Sequence, residues 1–198
     1  MLKLILASSS PFRKDVLTKL GLDFTVCVPD IDETRLEDES PHQMVHRLSQ
    51  QKAFEIAKSK TGLIIASDQV ATLSDGNDHK DDVLSKPHNH KNAVQQLQLS
   101  SGNTVTFLTS LTLLNTNTHN IQTIVETFKV IFKQLTTKQI ENYLAKEEPY
   151  NCAGSFKSES LGISLFERFE GDDPNALIGL PLIKLVRMLE NEGIDVLS

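Results

Sequence analysis

Apolar positions along this chain come in short runs, and their spacing switches repeatedly between the strand period and the helix period. Leu2–Ala7 is an apolar run closed by Ser8, Ser9 and Ser10, which predicts a buried strand. Ser10 as N-cap and Pro11 in a first turn then open a helix. Val16, Leu17 and Leu20 hold its apolar spacing, and Gly21 stops it. Phe24–Val28 predicts a second strand, followed by the acidic loop PDIDETRLEDES. Ser40, Pro41 and Gln43 carry a capping-box pattern for a helix running to about Lys58. GLIIASDQVATL predicts a strand with a polar interruption in its middle.

From Asp75 to His90 the chain is polar and without regular pattern, which predicts a long loop leading into a helix over roughly Lys91–Leu99. NTVTFLTSLTLLN and IQTIVETFKVIFK are rich in β-branched and aromatic residues and predict a hairpin turning at TNTHN. Thr136 and Gln139 form a second capping-box pattern, for a helix to about Glu147, and LGISLFERF predicts a strand. The closing stretch PNALIGLPLIKLVRMLENEG places Leu182, Leu185, Val186 and Leu189 on one helical face, with Gly193 as its stop. Strands alternating with helices, plus one long hairpin, define an α/β class with a mixed sheet.

Composition narrows the function. The 198 residues carry a formal net charge of −6, which argues against a general nucleic-acid or anionic-membrane binder and leaves room for a local basic pocket. The apolar start is too short for a signal peptide, and no later run approaches the length of a membrane helix, so a soluble cytoplasmic protein is expected. Cys27 and Cys152 stand alone, without the spacing of a zinc site or a disulfide framework.

Several residue groups could carry chemistry. A strand ending in Ser8, Ser9 and Ser10 and feeding a helix exposes backbone N–H groups at a positive dipole end, with Arg13 one turn away as a bidentate phosphate partner. An ordinary capped helix explains the same serines. Asp68 falls inside a run that otherwise calls for burial, where a carboxylate needs a partner, a metal or a reaction to justify it. The alternative ends the strand at Ala66 and leaves Asp68 in a solvated turn. Lys52 and Lys86 are lone cations that surface exposure also explains. Glu33 either joins Asp68 around a hard cation or belongs to a solvated acidic loop. His42 and His46 lie one turn apart without a third ligand, and His88 and His90 read as loop residues. Gly154 in CAGSFKSES permits close backbone approach beside a charged tip at Lys157 and Glu159; a plain loop is equally consistent.

Taken together, LASSSPFRK, DE, QKA, SDQV, KP, CAGSFKSE and DPNALIGLPL occur in an ordered set along the whole chain. In that set the sequence resembles the Maf-like nucleoside triphosphate pyrophosphatases, and among them the bacterial branch that hydrolyses 7-methyl-GTP. The resemblance implies a single Maf-like domain over residues 1–198, with an α/β, ITPase-like fold. In that fold a central twisted mixed sheet is flanked by helices, and two lobes enclose a cleft. It implies cleavage of a nucleoside triphosphate between its α- and β-phosphates with a divalent cation, Mg²⁺ or Mn²⁺, and a homodimeric assembly. It matches Asp68 to the proton acceptor, with Glu33 and Asp68 toward the metal. Ser8, Arg13, Glu33, Lys52 and Lys86 match polar cleft residues, and Ser9 and Ser10 complete the phosphate floor. Phe12, Gln69 and Glu159 match the positions associated with substrate choice. Ser85 departs from the GKP form common in the family. Hydrolysis of dTTP, UTP or another non-canonical nucleotide is the alternative enzyme reading, and a nucleotide-binding regulator of cell division the alternative of another class.

Overall fold

The computed structural model describes residues 3–74 and 82–198. Among the described residues seven strands form one mixed sheet: β1 (Leu4–Ala7), β2 (Phe24–Cys27), β3 (Leu63–Ser74), β4 (Asp82–Leu84), β5 (Thr104–Asn115), β6 (Asn120–Phe132) and β7 (Phe166–Glu170). Their order is β2-β1-β3-β5-β6-β7, with β4 pairing alongside β3. The helices are α1 (Pro11–Thr18), α2 (Pro41–Ala57), α3 (His90–Ser100), α4 (Thr137–Glu147), α5 (Pro174–Ile178) and α6 (Leu182–Asn191).

The chain divides into two compact units. The first holds the residues up to Gln69, Thr109–Glu126 and Asp173–Ser198; the second holds Val70–Leu108 and Thr127–Asp172. In the first, β1 lies parallel to both β2 and β3, and all four of its side chains are buried. A parallel strand covered on both faces reads as a continuous apolar run, which is why Leu4–Ala7 shows no alternation. The strand period still sorts the residues. Leu4, Leu6, Leu63 and Ile65 pack with Val16 and Leu17 of α1 and with Leu182, Leu185, Met188 and Leu189 of α6. Ile5, Ala7, Ile64 and Ala66 pack with Ala53 and Ile56 of α2. Each fully buried Leu or Ile contributes roughly 1.5–3 kcal/mol through apolar surface removed from water.

The second unit gathers aromatic rings instead. Phe156 meets Phe107, Phe132 and Phe166 edge to face, with centroids 4.9–5.5 Å apart. This is the geometry that ring quadrupoles favour.

The predicted caps are all present. The Ser10 hydroxyl accepts from the Arg13 N–H, and complete capping boxes open α2 at Ser40/Gln43 and α4 at Thr136/Gln139. One alternative is decided and three expectations need correction. First, β3 runs through Asp68 to Ser74 as the strand reading has it, which rules out the alternative of a solvated turn after Ala66. Second, the expected loop Asp75–His90 contains β4, antiparallel to β3 with Thr72 opposite Val83. Its three residues are too few to reveal a period, and residues 75–81 lie outside the described ones. His90 is the first residue of α3, capped by Asn89. Third, only the second half of LGISLFERF is strand; Leu161–Leu165 coils as a 3₁₀ turn. A side chain at Gly162 would collide with the Lys157 backbone, so the chain coils tightly where its apolar spacing alone suggested extension. Fourth, the closing stretch breaks at Gly179 into α5 and α6.

Asp173 makes that break stable. It is 1 % exposed, and its Oδ1 accepts from the Asn175 backbone and side-chain nitrogens at 2.8 Å each. Its Oδ2 accepts from the Ile183 N–H at 2.8 Å, so one carboxylate serves the first turns of both α5 and α6. Asp173→Ala removes a cap and leaves the Asn175 and Ile183 N–H groups without their acceptor, and should lower the unfolding free energy by about 2 kcal/mol. Urea unfolding checks this, and a midpoint equal to the wild type would contradict it.

Candidate functional site

The first unit carries a polar cluster on an apolar frame. Asp68 sits mid-strand in β3 at 7 % exposure, and Lys52 projects from α2 at 5 % exposure. Their Nζ–Oδ1 distance is 2.5 Å. The same ammonium lies 2.9 Å from Oε1 of Glu33, which comes from the acidic loop and whose side chain is 59 % exposed. One cation therefore joins two carboxylates, one buried and one open to water.

A buried carboxylate mid-strand is tolerated only when charge and hydrogen bonds are both satisfied. Lys52 supplies the charge. Ser110 of β5 supplies the frame: its hydroxyl accepts from the Asp68 N–H at 3.1 Å and lies 2.7 Å from the Val45 carbonyl of α2, to which it donates. Ser49 of α2 and Thr112 of β5 share a buried hydrogen bond at 2.9 Å. These hydroxyls tie the helix bearing Lys52 to the strand beside Asp68.

Arg13 lies in the same electrostatic field. Its Nε donates to the Gly179 carbonyl at 2.9 Å. Burial holds the guanidinium below its ordinary pKa, while the charges of Asp68 and then Glu33 oppose that shift. The Gly179 carbonyl also accepts from the Ser67 hydroxyl at 2.8 Å, fixing the α5–α6 break against both α1 and β3. Gly179 has φ 120°, and a Cβ there would stand 3.3 Å from the Arg13 Nε, so the position suits glycine for conformation and for space.

The serine turn shows the capped helix start. Ser10 caps α1, the buried Ser8 hydroxyl accepts from the Ser10 N–H at 3.1 Å, and Ser9 is exposed. Phe12 is half-buried. Gln69 is anchored firmly: its Nε2 faces three acceptors, the Thr109 hydroxyl at 2.8 Å and the Ala176 and Leu177 carbonyls at 2.8 and 3.1 Å. Those acceptors fix which end of the amide is nitrogen, and they leave Oε1 as the end that can accept from another molecule.

Lys86 and Glu159 belong to the second unit and are exposed. Both act on the Cys152 thiol. Burial raises its pKa, Lys157 and Lys86 pull it down, and Glu159 and Glu147 push it up. Cys27 and Cys152 are both free thiols. Among the described residues no three His, Cys, Asp or Glu side chains come together as a metal cluster, which includes the His42/His46 pair. No helix among them is long and apolar enough to cross a membrane.

The structure brings Arg13, Glu33, Lys52 and Asp68 together, with Gln69 next in the strand. It also shows residues that the sequence did not disclose. Ser110 lay within a run read only as strand, where a small hydroxyl among β-branched and apolar residues was the available signal. Glu39 and Arg47 were hidden because the acidic loop reads as solvated. Arg47 forks onto Glu39, with Nε–Oε1 at 2.6 Å and Nη2–Oε2 at 2.7 Å.

The sequence pattern of the Maf-like protein family matches residues 3–192, and the chain belongs to that family. It is 53 % identical over 195 residues to the 7-methyl-GTP pyrophosphatase of Nitrosococcus oceani, covering 98 % of this chain and 95 % of the relative. It is 54 % identical to the protein of the same name from Pseudoalteromonas atlantica, covering 98 % and 97 %. The corresponding Vibrio cholerae protein is 47 % identical, at 98 % coverage of both chains. Among solved structures, the Staphylococcus aureus Ham1 protein superposes with a TM-score of 0.48 at 13 % identity, over 67 % of this chain and 72 % of that one.

The Glu39–Arg47 fork has a pH signature. The Arg47 hydrogen bond holds the Glu39 carboxyl below its ordinary value of 4.5. A depressed carboxyl contributes stability that is present above its unfolded pKa and is lost as pH falls through the folded one. The stability difference between wild type and Glu39→Gln should therefore shrink as pH drops from about 6 to about 3. Urea titrations at several pH values check it, and a constant difference would contradict it.

Proposed function

We propose that this protein hydrolyses 7-methyl-GTP between its α- and β-phosphates, releasing 7-methyl-GMP and pyrophosphate. The observation that carries the reading is the Lys52 ammonium held between Asp68 and Glu33 with the Arg13 charge in the same field, in a Maf-like chain. Cleaving a phosphoanhydride calls for neutralised charge and a positioned water more than for covalent help. Asp68 takes the proton of the attacking water. The water oxygen bonds to phosphorus while the α–β bridge breaks, and pyrophosphate leaves. Arg13 and Lys52 offset charge on the phosphate oxygens, with the α1 N-terminus behind Ser8, Ser9 and Ser10 adding N–H donors. The family resemblance assigns Lys86 to the same task.

Glu33 and Asp68 suit a divalent cation. Two carboxylates already converge on one positive charge, and a pair of carboxylates completed by water and substrate phosphate is what Mg²⁺ or Mn²⁺ commonly takes. When bound, the cation supplies further neutralisation of the phosphate charge.

Base choice follows from Phe12, Gln69 and Glu159. The 7-methylguanine ring is cationic, so the Phe12 face attracts it. The Gln69 Oε1 accepts from an N–H of the base edge, and the Glu159 carboxylate favours the positive ring. A homodimer in the cytoplasm completes the proposal on family resemblance.

Pyrophosphate release from a panel of canonical and modified triphosphates with Mg²⁺ or Mn²⁺ tests the reading. The expected result is a kcat/KM for 7-methyl-GTP at least tenfold above that for GTP, about 1.4 kcal/mol of discrimination. Preference for dTTP or UTP would assign a different substrate, and no turnover on any member would overturn the enzyme. Phe12→Arg should lower the 7-methyl-GTP to GTP ratio severalfold, and an unchanged ratio would remove Phe12 from base recognition.

A further inference from the structure

Glu33 lies on a loop without regular secondary structure, and its own side chain is 59 % exposed where it meets the buried Lys52. A carboxylate so open to water restrains its loop only weakly through that contact. The loop is nevertheless tightly bonded at one point. Arg47 of α2 takes both Glu39 oxygens in a bidentate fork, at 2.6 and 2.7 Å. Its Nη2 also donates to the Thr34 carbonyl at 3.1 Å, and its Nη1 to Gln51 Oε1 at 2.9 Å. Glu39 Oε2 accepts in turn from the Leu36 N–H at 3.1 Å, and the Glu39 carbonyl accepts from Arg35 Nε at 2.7 Å. The anchored carbonyl belongs to the residue next to Glu33, and the anchoring side chain stands on the helix that presents Lys52.

We propose that Arg47 is a positioning residue: through Glu39 and the Thr34 carbonyl it sets Glu33 against Lys52, and so places the second carboxylate of the cation site. This rests on the reading that Glu33 and Asp68 hold the divalent cation. The fork is charge-assisted on both sides. Arg47 is raised above its ordinary pKa chiefly by its bond to Glu39, while Glu39 is lowered chiefly by the same bond. A planar guanidinium can bridge two carboxylate oxygens and a carbonyl together, whereas a lysine ammonium in its place has no such fork. The Asp68 charge also reaches Arg47. A direct electrostatic effect on Asp68 is thus the competing route by which Arg47 would act, and the test separates the two.

The experiment is binding of Mn²⁺ alone, followed by electron paramagnetic resonance without nucleotide, to metal-stripped full-length protein. It compares wild type, Glu33→Ala, Arg47→Met, Arg47→Lys and the double variant Glu33→Ala/Arg47→Met. Urea unfolding establishes that each variant is folded. Glu33→Ala and Arg47→Met should each weaken Mn²⁺ binding by about tenfold, the scale of residues that orient a metal ligand. Arg47→Lys should fall short of wild-type affinity, and the double variant should bind no more weakly than Glu33→Ala alone. Wild-type affinity in Arg47→Met or Arg47→Lys would overturn the proposal. A full further loss in the double variant would do so too, since Arg47 would then act without Glu33. Unchanged affinity in Glu33→Ala would instead overturn Glu33 as a ligand, and the role of Arg47 would fall with it.

Discussion

A carboxylate in the middle of a buried strand is the constraint around which the first unit is organised. Asp68 stands between apolar stretches of β3 that cannot turn out to water, so its charge must be met from inside the protein. Lys52 meets it at 2.5 Å, and that contact adds to the apolar packing and hydroxyl bonds that hold α2 over the sheet. The buried hydroxyls of Ser49, Ser110 and Thr112 then satisfy the polar groups on either side of the pair. With desolvation offset in this way, the charges are held in place before any anion arrives, which is the condition under which electrostatic catalysis acts most strongly.

The break between α5 and α6 serves the same centre from another direction. Its Gly179 carbonyl receives Arg13 and Ser67, while the Ala176 and Leu177 carbonyls receive the Gln69 amide. One short segment near the end of the chain therefore orients the Arg13 guanidinium and the Gln69 amide, both drawn from elements far away in sequence. Asp173, by capping both short helices, keeps that row of carbonyls in register. Conformation at Gly179 and the orientation of Gln69 are thus one structural feature.

Much of this was legible in the chain because local rules were obeyed. Ser10, Ser40 and Thr136 announced helix starts, and each side chain caps as its residue type demands. Asp68 was legible as a polar residue where burial was required. Lys52 was legible as a candidate but not as the partner of Asp68, because a single lysine on a helix is ordinarily solvated and its partner lies 16 residues on in another element. Arg47 and Glu39 were harder still. An acidic loop looks the same in sequence whether it is loose or pinned, and only the bidentate geometry distinguishes the two. The strand Asp82–Leu84 and the 3₁₀ turn at Leu161–Leu165 escaped for a related reason: one is too short to show a period, and the other is set by the close approach of Gly162 to Lys157.

The central claim is that Asp68, held by Lys52, accepts the proton of the attacking water. Single-turnover hydrolysis of 7-methyl-GTP by Asp68→Asn, with folding matched to wild type by urea unfolding, tests it most directly. The account predicts a rate lower by about 10³-fold or more with nucleotide binding retained, because the amide cannot take the proton. Turnover within tenfold of wild type would contradict it.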